Sequence, residues 1–254
     1  MGSFYNRFYN RFYWSANIIT VSQRERNNTI DPQINGDIIF RTIVGSHLWH
    51  NERPESDIDE FICYAMPIED VLIGRIGKSY QRPAQIDPAD NKEHDLSIHE
   101  AGTVVHQLLK GNPNFLIGVL SEMPVVKAGD YLSLKEPDWH WDLKEALSKN
   151  ISKNCYNAFK GYGVGHYMKY IDSGKDASPR RCNIGVRFFN FGISLLMTGK
   201  PDFSPVKEAT PEIVHNRFDM LKTAYESSPL PDEPQNPELM YDWLIKLRMY
   251  KNEY

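Results

Sequence analysis

A chain of 254 residues with 41% hydrophobic and 24% charged residues has the length for one large domain or two small ones and an ordinary globular composition, which excludes collagen, coiled coil and wholesale disorder. Its formal charge of −4 supplies no global basic field, so any nucleic-acid contact has to come from a local patch. Three scattered cysteines without a CxxC pair speak against a disulfide framework or a thiolate zinc site and predict a reducing, cytoplasmic setting.

In chain order, residues 1–36 read as an aromatic and polar extension. Its FYNRFYNRFYW repeat interleaves rings with Arg7 and Arg11, a pattern that suits single-stranded nucleic acid or simply rings packed on the body. It lacks a signal peptide's apolar core, and no run in the chain approaches the roughly 20 residues of a membrane span. From Asp37 short β-branched runs take over: DIIFRTIV as a strand, a break at GSHLWHNERPES with a short helix or loop, then DIDEFICYAM as a second strand. Residues 68–92, with Gly74, Gly77, Pro83 and Pro88, predict an irregular excursion or hairpin, and KEHDL a third strand.

Ser97-Ile-His-Glu100 has capping-box spacing and predicts a helix with Val104, Val105, Leu108 and Leu109 on its apolar face, closed by Gly111 and Pro113. A short helix over 113–121 and a final strand or hairpin in VVKAGDYLSL follow. After Pro137 strand signals vanish and helical stripes remain. These are Ile184, Phe188, Phe191 and Leu195; Val214, Phe218, Leu221 and Tyr225; and Leu239, Trp243, Leu247 and Tyr250. SSPLPDEPQNP joins the last two as a proline-stiffened connector. The chain thus divides into the extension, a sheet-bearing core over 37–136 and a helical region over 137–254.

Two familiar patterns fail on spacing. GRIGKS, residues 74–79, has Leu72 where a phosphate loop needs its first glycine, and HEAGTVVH has Thr103 where a zincin needs its second histidine. The pair Asp57 and Asp59 survives the same test. Alternation on a strand points both carboxylates to one face, and such a juxtaposition is costly unless a cation lies between them. Hard oxygen ligands at a sheet edge suit Mg²⁺, which fills its shell with waters and substrate phosphates. Eleven residues earlier, Gly45 permits a sharp turn and Ser46 can offer an amide and a hydroxyl to a triphosphate. The bland alternative is an ordinary turn followed by a solvated strand edge.

GSHLWHNERPESDID resembles the signature of the DNA polymerase β nucleotidyltransferase superfamily, closest to the small bacterial and phage RNA-repair-associated branch. LLKGNPNFL, RRCNIGVRFFNFGISLLMTGKPDF and YESSPLPDEP are similar to further segments of that branch, so the likeness spans roughly residues 38–235. The resemblance implies an α+β fold: a nucleotidyltransferase core with a mixed sheet of four or five strands, then a helical C-terminal region. It also implies a third acid from a neighbouring strand, with Asp95 as the choice and Glu93 as the rival. His50 stands where the family often has glycine.

The implied reaction moves a nucleoside monophosphate from an NTP to a hydroxyl acceptor, an RNA end among the candidates, with release of pyrophosphate. Asp57, Asp59 and Asp95 would hold Mg²⁺, or Mn²⁺ in its place, and Gly45 and Ser46 would orient the phosphates. Arg187, a charge on an otherwise apolar stripe, either pairs with a buried carboxylate or binds a nucleotide phosphate. Lys160, His166 and Lys169, set among tyrosines in KGYGVGHYMKY, either form an ordinary amphipathic face or stack a base and hold phosphates. The alternatives are a silent nucleotide- or RNA-binding module, and a metal-dependent phosphohydrolase drawing on His94 and His99.

Overall fold

The computed structural model describes residues 34–75, 77, 79–87, 91–125 and 137–253. The FYNRFYNRFYW repeat lies outside them, as do residues 126–134 of the expected final strand or hairpin. Four strands form one mixed sheet: β1 (Asp37–Ile43), β2 (Ile58–Ala65), β3 (Tyr80–Asp87) and β4 (Lys92–Glu100), in the order β1-β2-β4-β3. β2 and β4 run parallel at the centre, and β1 and β3 pair antiparallel at either side. Past the outer edge of β1, Ile43 donates to the Met123 carbonyl and Val125 donates to the Arg41 carbonyl, which adds a short edge segment. The expectation of a mixed α+β sheet flanked by helices therefore holds.

Between β1 and β2 lies the one-turn helix α1 (Gly45–Leu48), and after β2 comes the short helix α2 (Ile68–Leu72). The region expected as an excursion or hairpin contains β3, which turns back into β4. Alternation sorts the two faces of β2. Asp59, Phe61, Cys63 and Ala65 point to the helical side; Glu60, Ile62 and Tyr64 point to the reverse, where Ile62, Tyr64, Leu96 and Ile98 form a second apolar cluster.

The Ser97 cap is a correction. β4 continues through Glu100, because Ser97 is paired with Phe61 on one side and Gln81 on the other, and two ladders outweigh a local capping box. Helix α3 (Ala101–Leu109) begins later, with the Glu100 carboxylate accepting from the Gly102 amide at 2.7 Å. Arg248 holds the other carboxylate oxygen at 2.6 Å, so the cap is also a buried ion pair. Helix α4 (Pro113–Leu120) follows, capped by Asn112.

The helical region holds α5 (Trp139–Ser148), α6 (Cys155–Gly163), a π-helical turn at Val164–Met168, α7 (Lys169–Asp172), α8 (Pro179–Thr198), α9 (Pro211–Ser227) and α10 (Pro237–Glu253). The predicted stripes point inward: Phe188, Phe191, Leu195, Val214, Leu221, Trp243 and Leu247 are buried. Tyr225 departs from its stripe and stacks on Tyr156 at 4.3 Å. One apolar cluster runs from Phe40 and Phe61 of the sheet through Leu108 to Phe189 and Trp243, across the 136/137 boundary drawn from composition. The proline-rich connector is pinned to this body: Lys153 donates to the Pro231 carbonyl at 2.8 Å, and Asn150 brackets Asn236 at 2.8 and 2.9 Å.

Candidate active site

The site begins with a register. On the parallel central pair, Asp59 lies directly opposite Asp95, so both side chains project from the same face of strands about 4.8 Å apart. Asp57 sits just before β2, two residues from Asp59. Burial, then the charges of Asp57 and Asp95, push the Asp59 carboxyl up to about 6, while nearby His47 and the Ser46 amide pull it down. Glu93, the rival third acid, is exposed and faces Ile86 of β3; Asp95 faces Asp59.

The turn between β1 and α1 is built onto Asp59. The Val44 amide donates to the Asp59 carbonyl at 2.8 Å, and the Ser46 amide donates to its carboxylate. Gly45 has φ +62°, and a Cβ there would sit 1.8 Å from Asp59 Oδ2, so only glycine fits. This modifies one expectation: the Ser46 amide serves Asp59 rather than facing outward. Among the described residues the buried Ser46 hydroxyl has no hydrogen-bond partner, nor has Nε2 of His47. His47 carries no role in the sequence reading; its position next to the Gly-Ser pair is the signal that would have marked it. His50 adopts φ +50°, a left-handed turn that glycine takes freely and histidine tolerates.

The opposite wall comes from α8. Arg187 is only 6% exposed; its guanidinium stands 5.8 Å from the centre of the Trp49 ring, just past α1. Nε donates to the Asn183 carbonyl at 3.3 Å, and the buried Nη1 has no partner among the described residues. Burial lowers its pKa, Tyr167 opposing and Arg180 adding to the effect. Of the two readings of Arg187, no buried carboxylate among the described residues is paired with it. Trp49 packs edge-on against Phe191 and Phe203 and so joins α1 to α8. The structure thus gathers Gly45, Ser46, Asp57, Asp59 and Asp95 on one wall and brings Arg187 to the same turn through Trp49. Lys160, His166 and Lys169 stand apart, exposed on α6, the π turn and α7.

The histidines invoked for a phosphohydrolase are engaged elsewhere. His94 lies on the reverse face, its Nδ1 2.6 Å from Glu60 Oε1, while Arg41 binds the other oxygen of the same buried carboxylate. His99 is wedged between Phe61 and Phe115, and burial lowers its pKa to about 4, as expected of a neutral core imidazole.

Among the described residues, no group of three or more His, Cys, Asp or Glu side chains closes into a metal-binding cluster. Asp57 and Asp95 both act on Asp59, whose carboxyl they raise, and like charges this near repel in the absence of a cation. The donor set is nonetheless hard oxygen from neighbouring strands, the chemistry of Mg²⁺ or Mn²⁺ rather than of a soft metal. No helix among the described residues is long and apolar enough to cross a membrane.

A mixed sheet with acids facing one another on its central strands, a Gly-Ser turn seated on one of them and a helical region behind defines an α+β nucleotidyltransferase-type core. The chain belongs to RlaP, the RNA repair pathway DNA polymerase beta family, whose model matches residues 18–187. The match starts earlier than the resemblance read from the sequence and stops at Arg187, short of YESSPLPDEP. No curated protein matches the chain.

Proposed function

We propose that the protein is a Mg²⁺-dependent nucleotidyltransferase that moves a nucleoside monophosphate from an NTP to a hydroxyl of RNA. The observation that carries this reading is the Asp59–Asp95 pairing with Asp59 seated on the Gly45–Ser46 turn. Divalent ions held by Asp57, Asp59 and Asp95, Mg²⁺ or Mn²⁺, would neutralise the triphosphate and lower the pKa of the attacking hydroxyl. The raised pKa of Asp59 supports this, since a carboxyl crowded by two others gains most from a cation.

The chain's own residues supply position and charge. The unpartnered Ser46 hydroxyl and Arg187 Nη1 offer hydrogen bonds to the phosphates from opposite walls. The acceptor oxygen bonds to the α-phosphorus, the bond from that phosphorus to the bridging oxygen breaks, and pyrophosphate leaves with the electron pair. The hydroxyl proton passes to solvent.

The reading is tested by incubating the chain with each α-labelled NTP, Mg²⁺ and RNA, DNA and protein acceptors, beside Asp59→Asn and Asp95→Asn. Label should pass to RNA and pyrophosphate should appear in equal amount. Transfer that survives both substitutions, or release of phosphate with no modified acceptor, would refute it.

A further inference from the structure

Basic residues are unevenly spread. From Lys153 to Arg187 the chain carries seven lysines and arginines against two aspartates and no glutamate, inside a protein of net charge −4. That stretch covers α6, the π turn, α7 and the first half of α8, and its Lys160, Lys169, Lys175 and Arg180 are exposed. It is the local basic patch that the overall composition hides.

Two glycines sit in the middle of it for no packing reason. At Gly163 a Cβ would lie 2.4 Å from the Phe189 ring, so close packing accounts for that position. Gly161 and Gly165, one turn apart and both exposed, would have nothing within 4 Å of a Cβ. Glycine is the poorest helix former after proline, so alanine at either site would strengthen the helix. Bare backbone on an exposed face permits another molecule to approach closely. The π turn, a feature frequent at functional sites, coincides with it.

Rings and cations frame this strip. Tyr162 is stacked with buried Phe188 at 5.0 Å and with His166 at 4.0 Å, making His166 the exposed outer member of a three-ring column. Beyond it, Lys175 and Arg181 stand 5.2 and 5.1 Å from the Tyr170 ring. Stacking surfaces beside cations that follow a backbone are what single-stranded nucleic acid requires; the bases of a duplex have no free face to offer. The column is rooted on Phe188 of α8, the helix that also carries Arg187.

We propose that a single-stranded RNA crosses the chain over Gly161 and Gly165, with phosphates on Lys169 and Arg180 and a base stacked on His166. That this strand is the acceptor rests on the transferase reading; the platform itself does not. The residues expected to hold the nucleotide, Lys160, His166 and Lys169, would then serve the other substrate.

The test is fluorescence anisotropy of the full chain with a labelled single-stranded RNA of about 12 nucleotides, a length matched to typical binding sites, in EDTA without NTP. Lys169→Glu with Arg180→Glu should weaken binding more than about tenfold and reduce the salt slope of log Kd by about 1.4. Gly165→Ala should raise Tm and yet weaken binding about fivefold or more. Lys222→Glu, exposed on α9, should bind as wild type.

Unchanged affinity in the charge variants, Gly165→Ala gaining stability with no loss of binding, or a duplex or an acidic protein bound as tightly as the single strand would overturn the proposal. Transfer to RNA is assayed in parallel. Wild type that transfers while the platform variants bind normally sinks only the platform, and platform-dependent binding without transfer by wild type sinks only the transferase reading.

Discussion

The Asp59 carboxylate occupies the space that a side chain on Gly45 would need, 1.8 Å from where a Cβ would stand, while the amide of the next residue, Ser46, donates to it. The turn and the acid are one unit. Gly45→Ala has to relieve both the clash and a left-handed backbone, which alone costs about 1–2 kcal/mol. We expect a loss of about 2–4 kcal/mol in denaturant unfolding and transfer activity down by at least about 100-fold.

The pH dependence of stability follows from the same carboxyl. Asp59 holds its proton up to about 6 when folded, against an ordinary value of 3.8. The folded state therefore binds more protons between those values, and stability falls as pH rises from about 4 to about 6, then levels off. The drop is on the order of 1–2 kcal/mol once the group's partial exposure is discounted. Melting curves in EDTA should show this slope, and Asp59→Asn should flatten it. Mg²⁺ should raise Tm more at pH 7.5 than at pH 5 and do little for the variant.

At position 50 histidine carries a left-handed backbone that glycine adopts freely. His50→Gly is expected to change stability by less than about 1 kcal/mol, in the stabilising direction, and to leave transfer activity intact. Chemical denaturation settles the sign.

Arg187 is buried with one guanidinium nitrogen unpartnered. Arg187→Lys keeps the charge but loses the planar fork, and calorimetric titration should show NTP affinity reduced about tenfold with Tm little altered. Unchanged affinity would assign Arg187 to the packing against Trp49 alone.

On the reverse face, Glu60 accepts from Arg41 and is hydrogen-bonded to His94. Glu60→Gln leaves Arg41 buried without its counter-charge and should cost about 3–5 kcal/mol, read as a lowered Tm.

What the sequence disclosed depended on how local the cause was. The DID alternation and the Gly-Ser turn are consequences of a few adjacent residues, and the strand and the turn could be read directly. The preference for Asp95 over Glu93 rests on its standing just before the expected Ser97 cap, a ground that the continuing strand removes; the register that sets it opposite Asp59 is a cross-strand relation that no periodicity carries. The Ser97 cap failed because a strand hydrogen-bonded on both sides continued through it, although the alternating burial of His94, Leu96, Ile98 and Glu100 is a period-two pattern already present in KEHDLSIHE. Trp49 was illegible for a different reason. Its importance comes from the α8 residues Arg187 and Phe191 packed against it, and no spacing within the chain encodes that.

The apolar cluster that begins at Phe40 and ends at Leu247 has a mechanical meaning. Sheet and helices grip one shared hub, and Trp49, lodged against Phe191 and Phe203, keys the Gly-Ser turn to the far wall. The placement of the Gly-Ser turn against α8 is therefore set when the chain folds, and adjustment there falls to side chains and short turns rather than to a hinge between two bodies.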